Sequence, residues 1–169
     1  MRGIGAAAIL LASLSGGLLA ARQKRMRLRC LRDLSELLTC MAAELSGKRA
    51  PLPELIDTCR LYASGDARGF LENMKKNLPL LGEASFSGLW TDSAEQTLTR
   101  LREEEYREWI QLGRQLGRVE QERQLASLES CRASLSMRLA REEQLYQNDR
   151  RLCLGLPAAA GALLLILLF

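Results

Sequence analysis

The side chains best suited to chemistry in this sequence are cysteines and carboxylates, because no histidine occurs among its 169 residues. Without histidine the chain lacks the commonest general base, the commonest transition-metal ligand and the partner of every Ser-His or Cys-His nucleophile. Its five cysteines stand at positions 30, 40, 59, 131 and 153, and none forms the C-x-x-C spacing that indicates zinc. We therefore expect reduced thiols that pack as small hydrophobic side chains and bind no metal.

Part of a phosphate-binding loop occurs at Gly47 and Lys48. The complete motif has a glycine five residues before the glycine of this pair, and Ser or Thr directly after the lysine. Here Ala42 and Arg49 occupy those two positions. The chain is therefore not expected to hydrolyse nucleotides, and we predict no catalytic residue, no cofactor and no enzymatic activity.

Acidic runs are the remaining candidates for ligand chemistry. They lie at residues 103–105 and 142–143, with arginines at 102, 107 and 141 beside them. Carboxylates in such runs can bind a divalent cation, but the neighbouring arginines favour solvated helix faces with ion pairs. The sequence therefore predicts no metal ion at either run.

Two uncharged segments flank the part of the chain that carries these groups. Residues 3–21 and 152–169 contain nineteen and eighteen residues without a charge, and each is long enough as a helix to cross about 30 Å of hydrocarbon. The first segment ends in Leu19-Ala20-Ala21, so a cleaved signal peptide is the alternative. Six cations follow it before Asp33, and cations directly after an apolar segment resist export. We predict two transmembrane helices, residues 1–21 and 152–169, around a domain of residues 22–151.

Basic residues beside these segments predict the orientation in the membrane. They are Arg22, Lys24, Arg25, Arg27, Arg29, Arg32, Arg150 and Arg151. Because cytoplasmic flanks carry an excess of Lys and Arg, residues 22–151 are expected in the cytoplasm, where these cations would meet anionic lipid headgroups. Residues 33–151 contain 17 basic and 20 acidic side chains, a net charge of −3, so no nucleic-acid partner is predicted.

Helical periodicity covers the region between the spans, and no stretch alternates with period two. The first helix is predicted to end at Ser46-Gly47. Its apolar stripe consists of Leu31, Leu34, Leu38, Met41 and Leu45. A second helix begins at Pro51 and Pro53 and should bury residues 55, 56, 59 and 62, and Asp66 is predicted to cap a third.

Two longer helical patterns complete the region. One begins at Ser85 or Ser87 and is predicted to continue past Leu101 and Trp109. The last covers residues 118–151, a length of about 50 Å at 1.5 Å per residue, and should continue into the second span. The predicted fold is therefore all-α, a compact helical bundle between two transmembrane helices.

Two Leu-Gly pairs, Leu112-Gly113 and Leu116-Gly117, interrupt this pattern. Each glycine costs about 1 kcal/mol relative to alanine inside a helix, so a compensating role is expected. We predict a hinge at which glycine permits a tight reversal or a close helix contact, while the two leucines are buried one turn apart. An ordinary helix-to-helix turn is the simpler alternative.

The motif also resembles a known family. Leu112, Gly113, Leu116, Gly117 and Gln124, with a C-terminal span that opens in Arg-Leu-Cys-Leu-Gly-Leu, resemble the stage III sporulation protein AB family of endospore-forming bacteria. The likeness extends over nearly the whole chain. One departure is the Val-Glu pair at positions 119 and 120, where the family usually has Ser-Asp; the N-cap expected for the last helix is therefore missing.

This resemblance implies a non-enzymatic membrane platform or scaffold in the apparatus that joins the mother cell to the forespore. The family is similar to the cytoplasmic helical domains of the platform protein in type II secretion and type IV pilus machines. It implies a cytoplasmic motor ATPase of the stage III sporulation protein AA type as partner, together with other membrane subunits of the same apparatus. A homo-oligomer is possible, but the sequence does not give the number of copies. Glu103, Glu104 and Glu105 are the predicted contact surface, because they form the densest acidic patch.

Two other functions are compatible with the sequence. A general membrane-anchored adaptor would bind its partner through a coiled-coil seam formed by the stripe of the first helix. A pore-forming subunit has less support, because neither predicted span has a polar face.

Overall fold

The computed structural model describes the backbone of residues 2–48, 51–116 and 121–168, and the side chains of residues 22–47, 51–116 and 122–147. Six α-helices and one 3-10 turn lie in these ranges, and no strand does. In chain order they are α1 (Arg2–Lys48), α2 (Leu52–Tyr62), α3 (Gly65–Asn77), the 3-10 turn (Leu78–Leu80), α4 (Phe86–Thr97), α5 (Glu103–Leu116) and α6 (Gln121–Leu168). The prediction of an all-α, compact fold is confirmed.

The two predicted transmembrane helices, residues 1–21 and 152–169, lie outside the residues whose side chains are described. Within the described part, no helix combines the length and the apolar character needed to cross a membrane. Arg150 and Arg151 also fall outside that part. Both spans and their boundaries remain predictions.

Helices α1 and α6 pack against each other in antiparallel orientation. Arg25 Nε donates a hydrogen bond of 2.6 Å to Tyr146 Oη, and the Ser35 and Ser136 hydroxyls lie 3.0 Å apart further along the pair. Residue numbers therefore rise along α1 as those of the contacting residues fall along α6. The first described turns of α1 and the last described turns of α6 consequently lie at the same end of the bundle.

The helices between them run up and down in sequence order. Lys75 of α3 binds Asp57 of α2, and Asn73 Nδ2 of α3 donates to Gln96 Oε1 of α4 at 2.8 Å. One end of the bundle holds the start of α5 beside Arg27 of α1, and we call it the ion-pair end. The other holds residues 78–86 between α3 and α4 together with the last turn of α5, and we call it the turn end.

The apolar stripe predicted for the first helix forms the centre of the core. All five of its residues are at most 3% exposed. Helices α2, α3 and α6 pack against α1 and cover this stripe. The seam on which the adaptor alternative depends is therefore occupied by the bundle's own helices.

The short helices correct two details of the prediction. Tyr62 is 77% exposed, whereas residues 55, 56 and 59 of the same helix are buried. Asp66 does not cap α3, because Ser64 occupies the cap position and the cap acceptor comes from α1: Asp33 Oδ2 lies 3.3 Å from the Asp66 amide nitrogen. A carboxylate from a distant helix thus satisfies a free amide at the start of α3.

The predicted continuous helix from Ser85 through Trp109 is wrong, because α4 ends at Thr97 and α5 begins at Glu103. Ser85 does cap α4, since its Oγ accepts from the Gly88 amide at 3.2 Å. At the start of α5, Glu105 Oε2 accepts from the Arg102 amide at 2.8 Å. This is the glutamate half of a capping box, and it gives α5 its own beginning.

Candidate functional site

Gly113 of the Leu-Gly motif lies inside α5, directly against the ring of Trp90. A Cβ atom placed at this position would be 2.3 Å from Trp90 Cδ1 and 2.8 Å from Trp90 Nε1. No side chain fits there unless the indole moves. Of the two roles predicted for this glycine, close helix contact is therefore the one that the geometry at Gly113 corresponds to. Gly117 lies outside the described residues.

An aromatic cluster surrounds this contact and consists of Phe70, Phe86, Trp90 and Trp109. Trp90 Nε1 donates a buried hydrogen bond of 3.0 Å to the Trp109 carbonyl, and the centroids of the two indole rings are 5.2 Å apart. Phe70 of α3 meets both rings edge-on, with centroids at 4.7 and 5.3 Å. These rings link α3, α4 and α5. Because Gly113 has no side chain, the Trp90 ring can pack directly against the backbone of α5.

The other motif residues secure the C-terminus of α5. Leu112 is 2% exposed and Leu116 is fully buried, as predicted for two leucines one turn apart. Gln124 Nε2 of α6 donates to the Leu116 carbonyl at 2.9 Å. The last carbonyls of a helix have no partner within it, so this contact satisfies one of them and joins the end of α5 to the first turns of α6.

The acidic run at the start of α5 is divided among three environments. Glu105 is 1% exposed and ion-paired with Arg27, so it adds nothing to the predicted contact surface. Glu104 accepts from Arg138 Nη1 at 2.8 Å, which lowers the pKa of its carboxyl, and Glu103 pairs with Arg107 at 2.9 Å. The predicted surface therefore contains two exposed acids, each already beside an arginine.

Glu105 belongs to a charge-balanced group that we call the ion-pair cluster: Arg27, Arg102, Glu105 and Glu142. Arg27 Nη1 and Arg102 Nη1 lie 3.1 and 2.8 Å from Glu142 Oε1. Burial acts to raise the pKa of Glu142, but the hydrogen bond from Arg27 and the charges of both arginines outweigh it and lower that pKa. Two cations and two anions thus hold α1, α5 and α6 together at one point.

The cluster changes the interpretation of the basic flank. Arg27 is 14% exposed at its side chain and is bound between two glutamates, so it is not available to lipid headgroups. Arg32 pairs with Glu143 at the surface, while Arg22, Arg25 and Arg29 are exposed. The flank predicted from the sequence therefore contains one cation that stabilises the fold and several that face outward.

Within the described side chains, no three His, Cys, Asp or Glu groups converge in a way that would hold a metal ion. Cys30, Cys40, Cys59 and Cys131 are free thiols, and burial is the main cause that raises the pKa of Cys131 to about 12. The buried contacts described above are apolar packing, hydrogen bonds and ion pairs, and they position the helices.

Comparison with known proteins agrees with the motif. A model of the family described as stage III sporulation protein AB matches residues 2–169. This chain belongs to that family. The family predicted from the Leu-Gly motif is thereby confirmed, and a role in sporulation follows from it.

A solved structure carries the same fold. It is described as "Stage III sporulation protein AB (SpoIIIAB)", and it matches with a TM-score of 0.63 and 22% sequence identity. The match covers 72% of this chain and 97% of that one. A search of curated proteins found no match.

Sequence reasoning missed the contacts that join distant parts of this family member. Arg27 and Glu105 are 78 residues apart, and each looks like an ordinary surface charge in its local context. Only the spacing of Arg102 and Glu105, three residues apart before an apolar face, carried a usable signal, because glutamate at that position is typical of a helix start.

Proposed function

We propose that this chain is a non-enzymatic membrane scaffold of the apparatus joining the mother cell to the forespore, and that it docks a cytoplasmic motor ATPase. Family membership supports the sporulation role. The antiparallel pairing of α1 and α6 supports the scaffold role, because both helices continue from the ion-pair end toward the predicted spans. In this arrangement the cytoplasmic domain stands on the membrane with its turn end pointing away from it.

The turn end is the docking surface we favour. Leu80 and Leu81 are 47% and 42% exposed there, beside the exposed Glu83. Leu61 and Tyr62 form a second exposed apolar pair, but in the proposed arrangement that pair lies toward the membrane, so position rather than exposure alone favours the turn end. A protein approaching from the cytoplasm would meet this end first. Glu103 and Glu104, the surface predicted from the sequence, lie at the ion-pair end and are the second candidate.

The experiment is co-purification of the full-length chain in detergent with the motor ATPase encoded in the same organism. Leu80→Asp combined with Leu81→Asp should abolish the complex, because two charges replace the apolar contact. The matched control is Leu61→Asp with Tyr62→Asp, which alters side chains that are 71% and 77% exposed at the opposite end of α2. This control should retain the ATPase.

A second pair of substitutions separates the two candidate surfaces. Glu103→Arg with Glu104→Arg should leave binding intact if the turn end is the docking surface. Loss of the complex in this variant alone would move the site to the ion-pair end. If the unaltered chain retains no ATPase at all, the docking proposal is wrong, although the family assignment stands.

Burial of the apolar stripe of α1 removes the sequence evidence for the adaptor alternative. That alternative required the stripe of the first helix as a free seam, and that stripe is buried in the bundle. An adaptor role would need a different contact surface.

A further inference from the structure

An open cavity of about 420 Å³ lies between α1 and α6 at the ion-pair end. One wall carries Arg25, Arg29 and Arg32 of α1, and the other carries Glu143, Tyr146 and Gln147 of α6. A water molecule occupies about 30 Å³ of liquid, so the space is large enough for a phosphate ester and several carbon atoms. None of the contacts of the ion-pair cluster occupies it.

The three arginines lie on one face of α1, because their spacing of four and three residues brings them into line along the helix. Among the described residues of the lining, Glu143 is the only acidic side chain, so these residues together carry a net charge of +2. Arg27, between them in sequence, is directed to a different neighbour and is bound in the ion-pair cluster. Of these four arginines of α1, one is bound in the ion-pair cluster and three line the cavity.

The arginines of the cavity differ in how far their charges are satisfied. Arg32 pairs with Glu143, and Arg25 donates to the Tyr146 hydroxyl while its guanidinium lies 5.8 Å from the centre of that ring. Among the described side chains, Arg29 is exposed and has no ion-pair partner. Its planar guanidinium can bind two oxygens of one phosphate in parallel.

Apolar atoms beside these cations limit the kind of ligand. Leu28 is 8% exposed and lines the cavity, and Tyr146 presents its ring opposite the arginines. A site of this composition suits a phosphate that carries an apolar group better than it suits a bare inorganic ion. Tyrosine and arginine together are typical of the depth at which lipid headgroups lie.

We propose that this cavity binds the phosphate of an anionic phospholipid headgroup, with Arg29 as the main ligand and Arg25 and Tyr146 beside it. The inference rests on the two-span arrangement of the proposed function, because only that arrangement brings residues 22–32 and 143–147 to a bilayer. The site would tie the α1–α6 pair to lipid at the point where the two helices approach the membrane. It is independent of the turn end and of ATPase docking.

The test is native mass spectrometry of the full-length chain in a mild detergent, with phosphatidylglycerol as the probe and phosphatidylcholine as the neutral comparison. Detergent removes the surface potential of a bilayer, so the measurement reports a defined site. We expect one bound phosphatidylglycerol, and Arg29→Gln should weaken it about tenfold through loss of charge-assisted hydrogen bonds. Arg29→Lys should recover only part of the loss, because it restores the charge without the planar fork.

Arg22→Gln is the matched control. Arg22 is equally an exposed arginine of the basic flank and lies nearer the predicted span, but it does not line the cavity. The Arg22→Gln variant should bind lipid like the unaltered chain.

Equal losses in the Arg22→Gln and Arg29→Gln variants, or equal binding of both lipids, would overturn the site. Displacement of the lipid by millimolar inorganic phosphate would show a site for soluble phosphate and overturn the lipid assignment. The Arg29→Gln variant should still co-purify with the ATPase, so that loss of lipid binding is distinguished from loss of docking.

Discussion

The two ends of α5 are held by different physics. At its start, Glu105 is buried in the ion-pair cluster, where opposite charges and hydrogen bonds join three helices. Near its other end, Gly113 lies against Trp90 in an apolar contact so close that no further atom fits. The first contact depends on charge and the second on shape. Each end of α5 should therefore be destabilised by a different kind of substitution: one that removes a charge, or one that adds volume.

This difference concerns function as well as stability. A charge cluster can be weakened by acid or by removal of one partner, because the remaining charge is left without compensation. A steric contact responds to added volume and is insensitive to pH. The end of α5 nearest the predicted membrane spans thus depends on electrostatics. The end of α5 nearest the proposed docking surface depends on rigid packing.

The largest effect is expected from Arg27→Met. Removing one partner of a buried ion pair leaves a buried charge, and we expect a loss of about 3 kcal/mol in the free energy of unfolding. Adding Glu105→Gln should recover part of the loss, because it removes the uncompensated negative charge. The amide oxygen of the new side chain can still accept from the Arg102 amide. Chemical unfolding followed by tryptophan fluorescence gives the values. Arg32→Met is the control, since its pair with Glu143 is exposed and should change stability by less than about 1 kcal/mol. Equal effects of the two methionine variants would contradict the ion-pair cluster.

Gly113→Ala should be next, at about 2 kcal/mol of destabilisation, because the added carbon collides with the Trp90 ring. The sign is informative, since Gly→Ala inside a helix ordinarily stabilises by about 1 kcal/mol. Gly69→Ala in α3 is the matched control: apart from the adjoining backbone of its own helix, no atom lies within 4 Å of its added carbon, so it should stabilise. Opposite changes in melting temperature are expected, and stabilisation by both would show that Trp90 moves aside freely.

Gln124→Ala tests the link between α5 and α6 and should cost about 1 kcal/mol, the net value of one hydrogen bond to the Leu116 carbonyl. Gln144→Ala, at an exposed position of the same helix, removes an equivalent side chain without this contact. Thermal unfolding of the two variants should differ. Identical curves would leave the motif glutamine without a stabilising role.

The smallest effect should appear in acid. The pKa of Glu142 is lowered in the folded chain, so its contribution is present above the ordinary value of 4.5 and is lost as the pH falls toward the lowered value. Glu142→Gln should flatten the decline of stability in that range. Gly113→Ala should shift the whole curve without changing its slope. A variant at Glu142 with an unchanged slope would show that other carboxylates dominate acid unfolding.

The helices themselves were predictable because their signals are local. The stripe from Leu31 to Leu45 has the helical spacing, and all its members are buried. The break between α4 and α5 was missed, because the apolar spacing from Trp90 to Trp109 runs through it without interruption. What separates the two helices is the Glu105 cap, whose signal is weaker than the usual Ser or Thr box.

The candidate site was predictable only in part. The Leu-Gly spacing and Gln124 identified the family, and the cost of glycine in a helix showed that position 113 needs a compensating role. The partner of that glycine could not be found from the sequence, because Trp90 lies on another helix. The three adjacent glutamates looked equivalent, yet one is buried and two are exposed.

The amino-acid sequence by itself determined the all-α fold, the stripe of α1 and the family, because helical period and short motifs are properties of neighbouring residues. Tertiary structure decided which charges stabilise the bundle and which remain open to a partner. Arg27 and Arg29 are two residues apart in one helix, yet the first is bound between glutamates and the second faces an open cavity. Their difference arises from what α5 and α6 bring to each face of α1, and such contacts between distant segments leave no local pattern in the sequence.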